Sequence, residues 1–218
     1  MILSREVFDF LRVLKLNNNR PWFEKNREKY DTARGIYLAF VTKLVGEIRK
    51  IETIPEKEPS KMVQRIYRDI RFSKDKTPYK SHFSSIIERG PESLNVPLYL
   101  HIQPGRSIVA GGVWEPSTET LKKIRQEIDY NSLSFNKILK QKNFVQYFGE
   151  IAGAKLVRPP KGYEADNPNI ELLKFKQLYV ERSFPDELVL SKDLIPEILK
   201  SYKAALPVFR FFDTAMGD

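Results

Sequence analysis

The chain has 218 residues, of which 41% are apolar and 30% charged, and 37 Lys and Arg against 28 Asp and Glu leave a net charge of +9. This is an ordinary globular balance, and 14 Phe, 10 Tyr and two Trp supply enough apolar area to offset ordering entropy, which excludes a chain disordered throughout. With no cysteine, a disulfide scaffold, a thiolate zinc site and a cysteine nucleophile are excluded together.

From the N-terminus, Ser4-Arg5-Glu6 bring charge too early for a signal peptide's apolar region. No apolar run approaches the roughly 20 residues that cross a bilayer. The expectation is a cytoplasmic protein with no membrane partner. Ser4 is placed to cap a first helix carrying Val7, Phe8, Leu11 and Leu14, which ends at Asn17-Asn18-Asn19. A long helical stretch begins near Pro21, weakened by Gly35 and Gly46, and Pro55 and Pro59 bracket a loop after it.

Alternation then predicts a strand over 65–73, with Ile66, Ile70 and Phe72 on one side and Arg65, Tyr67, Asp69 and Arg71 on the other. Further strands are predicted at 82–88, 97–103 and 107–114, the last two joined through Pro104-Gly105. Helical spacing returns after Pro116 and again from 194 onward, where Pro207 is expected to kink or break the helix; residues 175–184 read as a last strand. No internal repeat or flexible linker divides the chain. The fold class is α+β, a mostly antiparallel central sheet flanked by N- and C-terminal helices, in a single domain over 1–218.

The dense chemical feature lies between Lys61 and His82. Seven basic residues and two acidic ones fall there, which leaves +5 of the chain's +9 in one segment. Guanidinium and ammonium groups mounted on a strand and its loop suit a phosphate or carboxylate, so Arg65, Tyr67, Arg68, Arg71, Lys74, Lys76, Tyr79 and Lys80 are the candidate ligand-binding residues. His82 and His101 are the only histidines. His101 shares a strand face with Tyr99 and Gln103, and the two imidazoles are the candidate acid and base of a metal-independent phosphoryl or phosphodiester hydrolase. Two His without Cys, and no spacing of metal-ligand type, leave no metal site and no cofactor expected; Walker and Rossmann glycine patterns are absent.

Several segments together carry a resemblance: Asn18 to Phe23, Arg65 to Lys80 with His82-Phe83, Tyr99 to Ile102, Gly111-Gly112-Val113, and Arg158-Pro159-Pro160-Lys161-Gly162-Tyr163. In this order they resemble the domain of unknown function 2461 family through nearly the whole chain, with Val113-Trp114-Glu115 a local departure. The resemblance implies a stand-alone domain found mainly in bacteria, and no activity, substrate or cofactor. The residues themselves support binding of an anionic ligand, whether a nucleotide, nucleic acid or small metabolite. The alternatives are the two-histidine hydrolase and a non-catalytic module docking an acidic partner.

Overall fold

The computed structural model describes residues 2–90 and 96–217. Helix α1 (Arg5–Leu16) buries Val7, Phe8, Leu11 and Leu14 along one face. Asn19 caps α2 (Arg20–Lys25), accepting from the Trp22 amide at 3.0 Å, and Pro21 occupies the first turn, where a missing N–H goes unnoticed. The long helix expected from Pro21 is broken at Asn26, whose carboxamide donates to the Trp22 carbonyl at 2.9 Å and competes with the helical ladder. Helix α3 (Arg27–Ile48) then runs through both glycines. Each glycine costs about 1 kcal/mol, against roughly 1.5–3 kcal/mol gained for every large apolar side chain buried. Tyr37, Phe40, Val41, Leu44 and Ile48 are all buried, so packing wins.

After a single helical turn, α4 (Pro59–Met62), come β1 (Phe83–Ile87), β2 (Leu98–Ile102) and β3 (Ser107–Val113). Pro104 and Gly105 make the turn between β2 and β3: Gly105 takes φ +75°, and Arg106 N–H closes on the Gln103 carbonyl at 2.9 Å. Helices α5 (Thr118–Tyr130), α6 (Ser132–Leu139), α7 (Lys142–Phe148) and α8 (Ile170–Leu173) precede β4 (Leu178–Phe184), and α9 (Asp186–Val189) and α10 (Leu194–Met216) follow it. The strands form one antiparallel sheet in the order β1-β2-β3-β4, with helices at both termini, an α+β fold. Helix α10 continues through Pro207, surrendering one backbone bond while burying Leu206, Val208, Phe209 and Phe212. No described helix is long and apolar enough to cross a membrane.

The strand predicted over 65–73 does not form. Val63 pairs with Ser85 and Tyr67 with Tyr79, but only as isolated bridges, and beyond Arg68, whose amide donates to the Pro78 carbonyl at 2.9 Å, the ladder stops. The segment turns there because local side chains satisfy its backbone: Asp69 accepts from the Arg71 amide at 3.2 Å and Asp75 from the Thr77 amide at 2.9 Å. The apolar side predicted for it dissolves accordingly, since Ile66 is 2% exposed and Phe72 is 96% exposed.

The chain groups into two compact units. The first comprises Met1–Ile87, Tyr99–Val109 and Ser183–Leu199; the second comprises Glu88–Leu98, Ala110–Arg182 and Lys200–Asp218. In the first, α3 packs on β1, with the Tyr37 and Phe83 rings stacked at 5.2 Å and the Tyr37 hydroxyl 2.8 Å from Ser85 Oγ. In the second, Phe135 stacks on Phe211 at 4.4 Å, and Phe209 lies so close to Gly111 that a Cβ there would fall 2.2 Å from its ring. Beside Phe209 sits a fully buried ion pair. Arg89 Nη1 donates to Asp213 Oδ2 at 3.1 Å and to the Val96 carbonyl at 2.9 Å, and Asp213 Oδ1 accepts from the Val96 amide at 2.7 Å.

Breaking that pair on one side takes a counter-charge and a hydrogen bond from a buried guanidinium. Asp213→Ala is expected to cost about 3–5 kcal/mol in urea or thermal unfolding, and the double replacement Arg89→Met, Asp213→Leu to recover part of the loss. An Asp213→Ala protein as stable as the parent would show that the carboxylate holds nothing.

Candidate functional site

The segment that resists strand formation is nevertheless fixed at its far end. The Asn18 carboxamide donates to the Tyr79 carbonyl at 2.8 Å and accepts from the Tyr79 amide at 3.0 Å, so one side chain reads both backbone groups of a residue 61 positions away. The Tyr79 ring lies flat on Phe23, with centroids 4.0 Å apart and an interplanar angle of 14°. Tyr79, Phe83 and Ser85 are buried, whereas Lys80 and His82, in the bend that leads into β1, are half-buried. In β2 strand alternation buries Leu98, Leu100 and Ile102 and leaves Tyr99 and His101 half-buried opposite them.

The two histidines meet on that face. Their rings stack at 4.0 Å with an interplanar angle of 28°. With the Gln103 carboxamide oxygen as acceptor, His101 Nε2–H donates to it at 2.9 Å, which leaves Nδ1 to accept from the Tyr99 hydroxyl at 3.0 Å. Burial pushes the His82 imidazole down to about 3, helped by His101, Lys80 and Arg106. His101 is also lowered, chiefly by burial; its hydrogen bond to Gln103 opposes this, and Arg106 adds a smaller lowering effect. Lys80 is lowered by burial and by Arg65. Both imidazoles are therefore neutral near pH 7. The charges acting on Lys80 and His82 all repel, and no carboxylate among the described residues pairs with Lys80, Arg65 or Arg106, although Arg65 does act at longer range on Asp69.

The remaining sequence-predicted residues are used differently. Arg68 folds inward, its guanidinium donating to Asp75, to Thr77 Oγ1, to the Thr77 carbonyl at 3.2 Å and to Ser73 Oγ at 3.4 Å. Arg71 is bidentate on Asp69 at 2.7 and 3.0 Å, and Lys76 donates to the Ile70 carbonyl at 3.0 Å. Tyr79 is buried, Tyr67 is about half exposed, and Arg65 and Lys74 are exposed. The structure thus brings together Lys80, His82 and His101 but does not converge Arg65, Arg68 and Arg71. Arg106 was missed by sequence reasoning; the Pro104-Gly105 turn that folds β3 back beside His101 was the available signal. A cleft of about 300 Å³ nearby takes its cations from Arg12 and Lys15, with Ser81, Gln103 and Asp186 among its walls. Asp186 also accepts from the Gly105 amide at 2.7 Å, anchoring that turn. No three His, Asp or Glu side chains among the described residues cluster as a metal site would.

The sign of the His82 shift sets a pH dependence. Its folded-state value lies below the ordinary 6.5, so between about pH 6.5 and 3 the unfolded chain binds a proton that the folded chain refuses. The stability it confers is complete above that window and is lost as pH falls through it. Urea midpoints are expected to drop from about pH 7.5 to 5, and His82→Gln to flatten this slope. An unchanged slope in the variant would remove His82 as its source.

The model of the family described as conserved hypothetical protein (DUF2461) matches residues 6–211, a span that takes in every residue of this face. No curated protein and no solved structure shows significant similarity. The chain belongs to the DUF2461 family.

Proposed function

We propose that the protein binds a phosphate- or carboxylate-bearing ligand on the face formed by Lys80, His82, His101 and Arg106, with Arg65 at its flank. The observation that carries this reading is the uncompensated charge: the half-buried Lys80 ammonium is disfavoured by burial and by Arg65, and no carboxylate among the described residues pairs with Lys80, Arg65 or Arg106. Such an arrangement costs stability until an anion enters it. A cation and anion about 4 Å apart near a protein surface gain on the order of 4 kcal/mol at an effective dielectric of about 20. The neutral His82 imidazole adds a hydrogen-bonding group, and a bound anion would favour its protonation, so binding strengthens as pH falls.

Metal-independent phosphodiester hydrolysis by His82 and His101 is the second reading, and the stacking of the two rings favours it. Protonation weighs against it. His101 has both ring nitrogens engaged, and a group at about 3 is a weak base and no acid near neutrality.

One set of measurements separates the two. Inorganic pyrophosphate and sulfate at millimolar concentration are expected to raise the thermal midpoint of the parent protein and to leave Lys80→Gln and Arg106→Gln unmoved. Without ligand, those variants are expected to melt at or above the parent, because each removes a repelling charge. Indifference of the parent to both anions would defeat the binding reading. Turnover of a generic phosphodiester that disappears in His82→Gln would establish the hydrolase instead.

A further inference from the structure

The tip of the basic segment holds an arrangement that the face above does not use. Phe72 is 96% exposed, the most exposed of the large apolar side chains described. A hydrophobic ring in water is unfavourable unless something covers it. Its surroundings carry more cations than carboxylates: the Arg71 guanidinium carbon, paired with Asp69, lies 5.9 Å from the ring centroid, Lys74 is exposed two residues on, and Lys76 stands at the far side of the turn, where Asp75 pairs with Arg68. Nor is the tip a loose end. Arg68 ties the two arms by reaching Ser73, Asp75 and Thr77, Lys76 holds the Ile70 carbonyl, and the Thr77 amide draws Asp75 down to about 2, keeping it ionised as the partner of Arg68. An exposed aromatic on a loop braced from within loses little freedom when it is covered.

We infer that this tip binds single-stranded nucleic acid, Phe72 stacking on a base while the exposed Lys74 meets a phosphate and Arg71, held only in a surface pair with Asp69, offers a second cation beside the ring. The chemistry selects that occupant over the others. An aromatic face beside cations is the combination that holds a single strand without regard to sequence, since every base has a π-face and every linkage a phosphate. A duplex hides its bases, so the ring would have no partner there. One Phe offers too little apolar surface to hold a lipid bilayer. An acidic peptide would use the cations and leave the ring uncovered. The inference stands on residues separate from Lys80, His82, His101 and Arg106, so each site can fail without the other.

Fluorescence anisotropy of labelled twelve-residue oligothymidylate and oligouridylate with the intact chain tests it. Binding is expected at low salt for at least one of them, weakening steeply as salt rises. Phe72→Ala should reduce affinity at least about fivefold and Phe72→Trp should keep it, as base stacking requires. Lys74→Gln should lower the salt slope by about 0.7, the loss of one phosphate contact on a single strand. Because Phe72 packs on nothing in the core, these variants keep the fold. Binding of neither oligonucleotide at about 50 μM overturns the inference, while a pyrophosphate shift in the same preparation leaves the imidazole face standing. Equal affinity of Phe72→Ala and parent also overturns it. So does tighter binding to a duplex, to polyglutamate or to phosphatidylserine vesicles than to either single strand.

Discussion

The carboxamide of Asn18 on the backbone of Tyr79 is the contact on which the candidate face depends. A primary amide carries one acceptor and one donor group in the same plane, so it can stand in for a strand neighbour, satisfying N–H and C=O of a single residue. Each such bond contributes on the order of 1 kcal/mol net. Its larger effect is on register. With Tyr79 fixed, the short bend that follows it enters β1 in one register, which leaves Lys80 and His82 half-buried beside the buried Tyr79 and Phe83. The stacking of Tyr79 on Phe23 reinforces the same register from the side-chain direction, and Asn19, next in sequence to the clamp, starts the helix that carries Phe23. Three consecutive tasks in 18–23 thus orient residues sixty positions later.

The arginines show how burial and partner decide what a charge does. Arg89 is buried and fully engaged, holding Asp213 and the Val96 carbonyl. Arg68 is half-buried and spends its donors on the loop that contains it. Arg71 is exposed and held by Asp69, its neighbour but one, a pair that solvent screening makes weak. Arg106 and Arg65 differ from all of these in having no paired carboxylate among the described residues. Residue type was therefore a poor guide to which cations are available. Availability follows from whether a carboxylate or carbonyl sits within reach, which only the folded geometry reveals.

Much of the architecture was legible because its signals are local and periodic. The helix starts at Ser4 and Pro21, the turn at Pro104-Gly105, and the alternation of Leu98, Leu100 and Ile102 need no distant partner to interpret. Residues 65–73 misled for the opposite reason. Alternation reports which side chains could share a face, but a strand exists only where a neighbour supplies its hydrogen bonds, and here the neighbour ends near Pro78. The placement of His101 beside Tyr99 and Gln103 was readable from strand parity. Its stacking on His82 was not, since that depends on how the chain before β1 meets β2. Arg89 and Asp213 lie 124 positions apart in apolar stretches, and nothing nearby in sequence links them.

The basic segment divides into two parts with different prospects. Up to Arg68 and again from Pro78 the chain is tied to neighbouring segments and to Asn18, so Lys80 and His82 are held on a rigid base with the Lys80 charge left unanswered. Between those points the chain is braced only by its own side chains, and the bracing consumes Arg68, Asp75 and Thr77 while pushing Phe72 outward. A folded chain gains nothing by leaving cations together or a phenyl ring in water. Both features raise its free energy, by repulsion in one case and by hydration in the other. Each is relieved by a different covering group, an anion for the first and a flat apolar surface for the second. One continuous run of basic residues in the sequence therefore corresponds to two physically distinct surfaces.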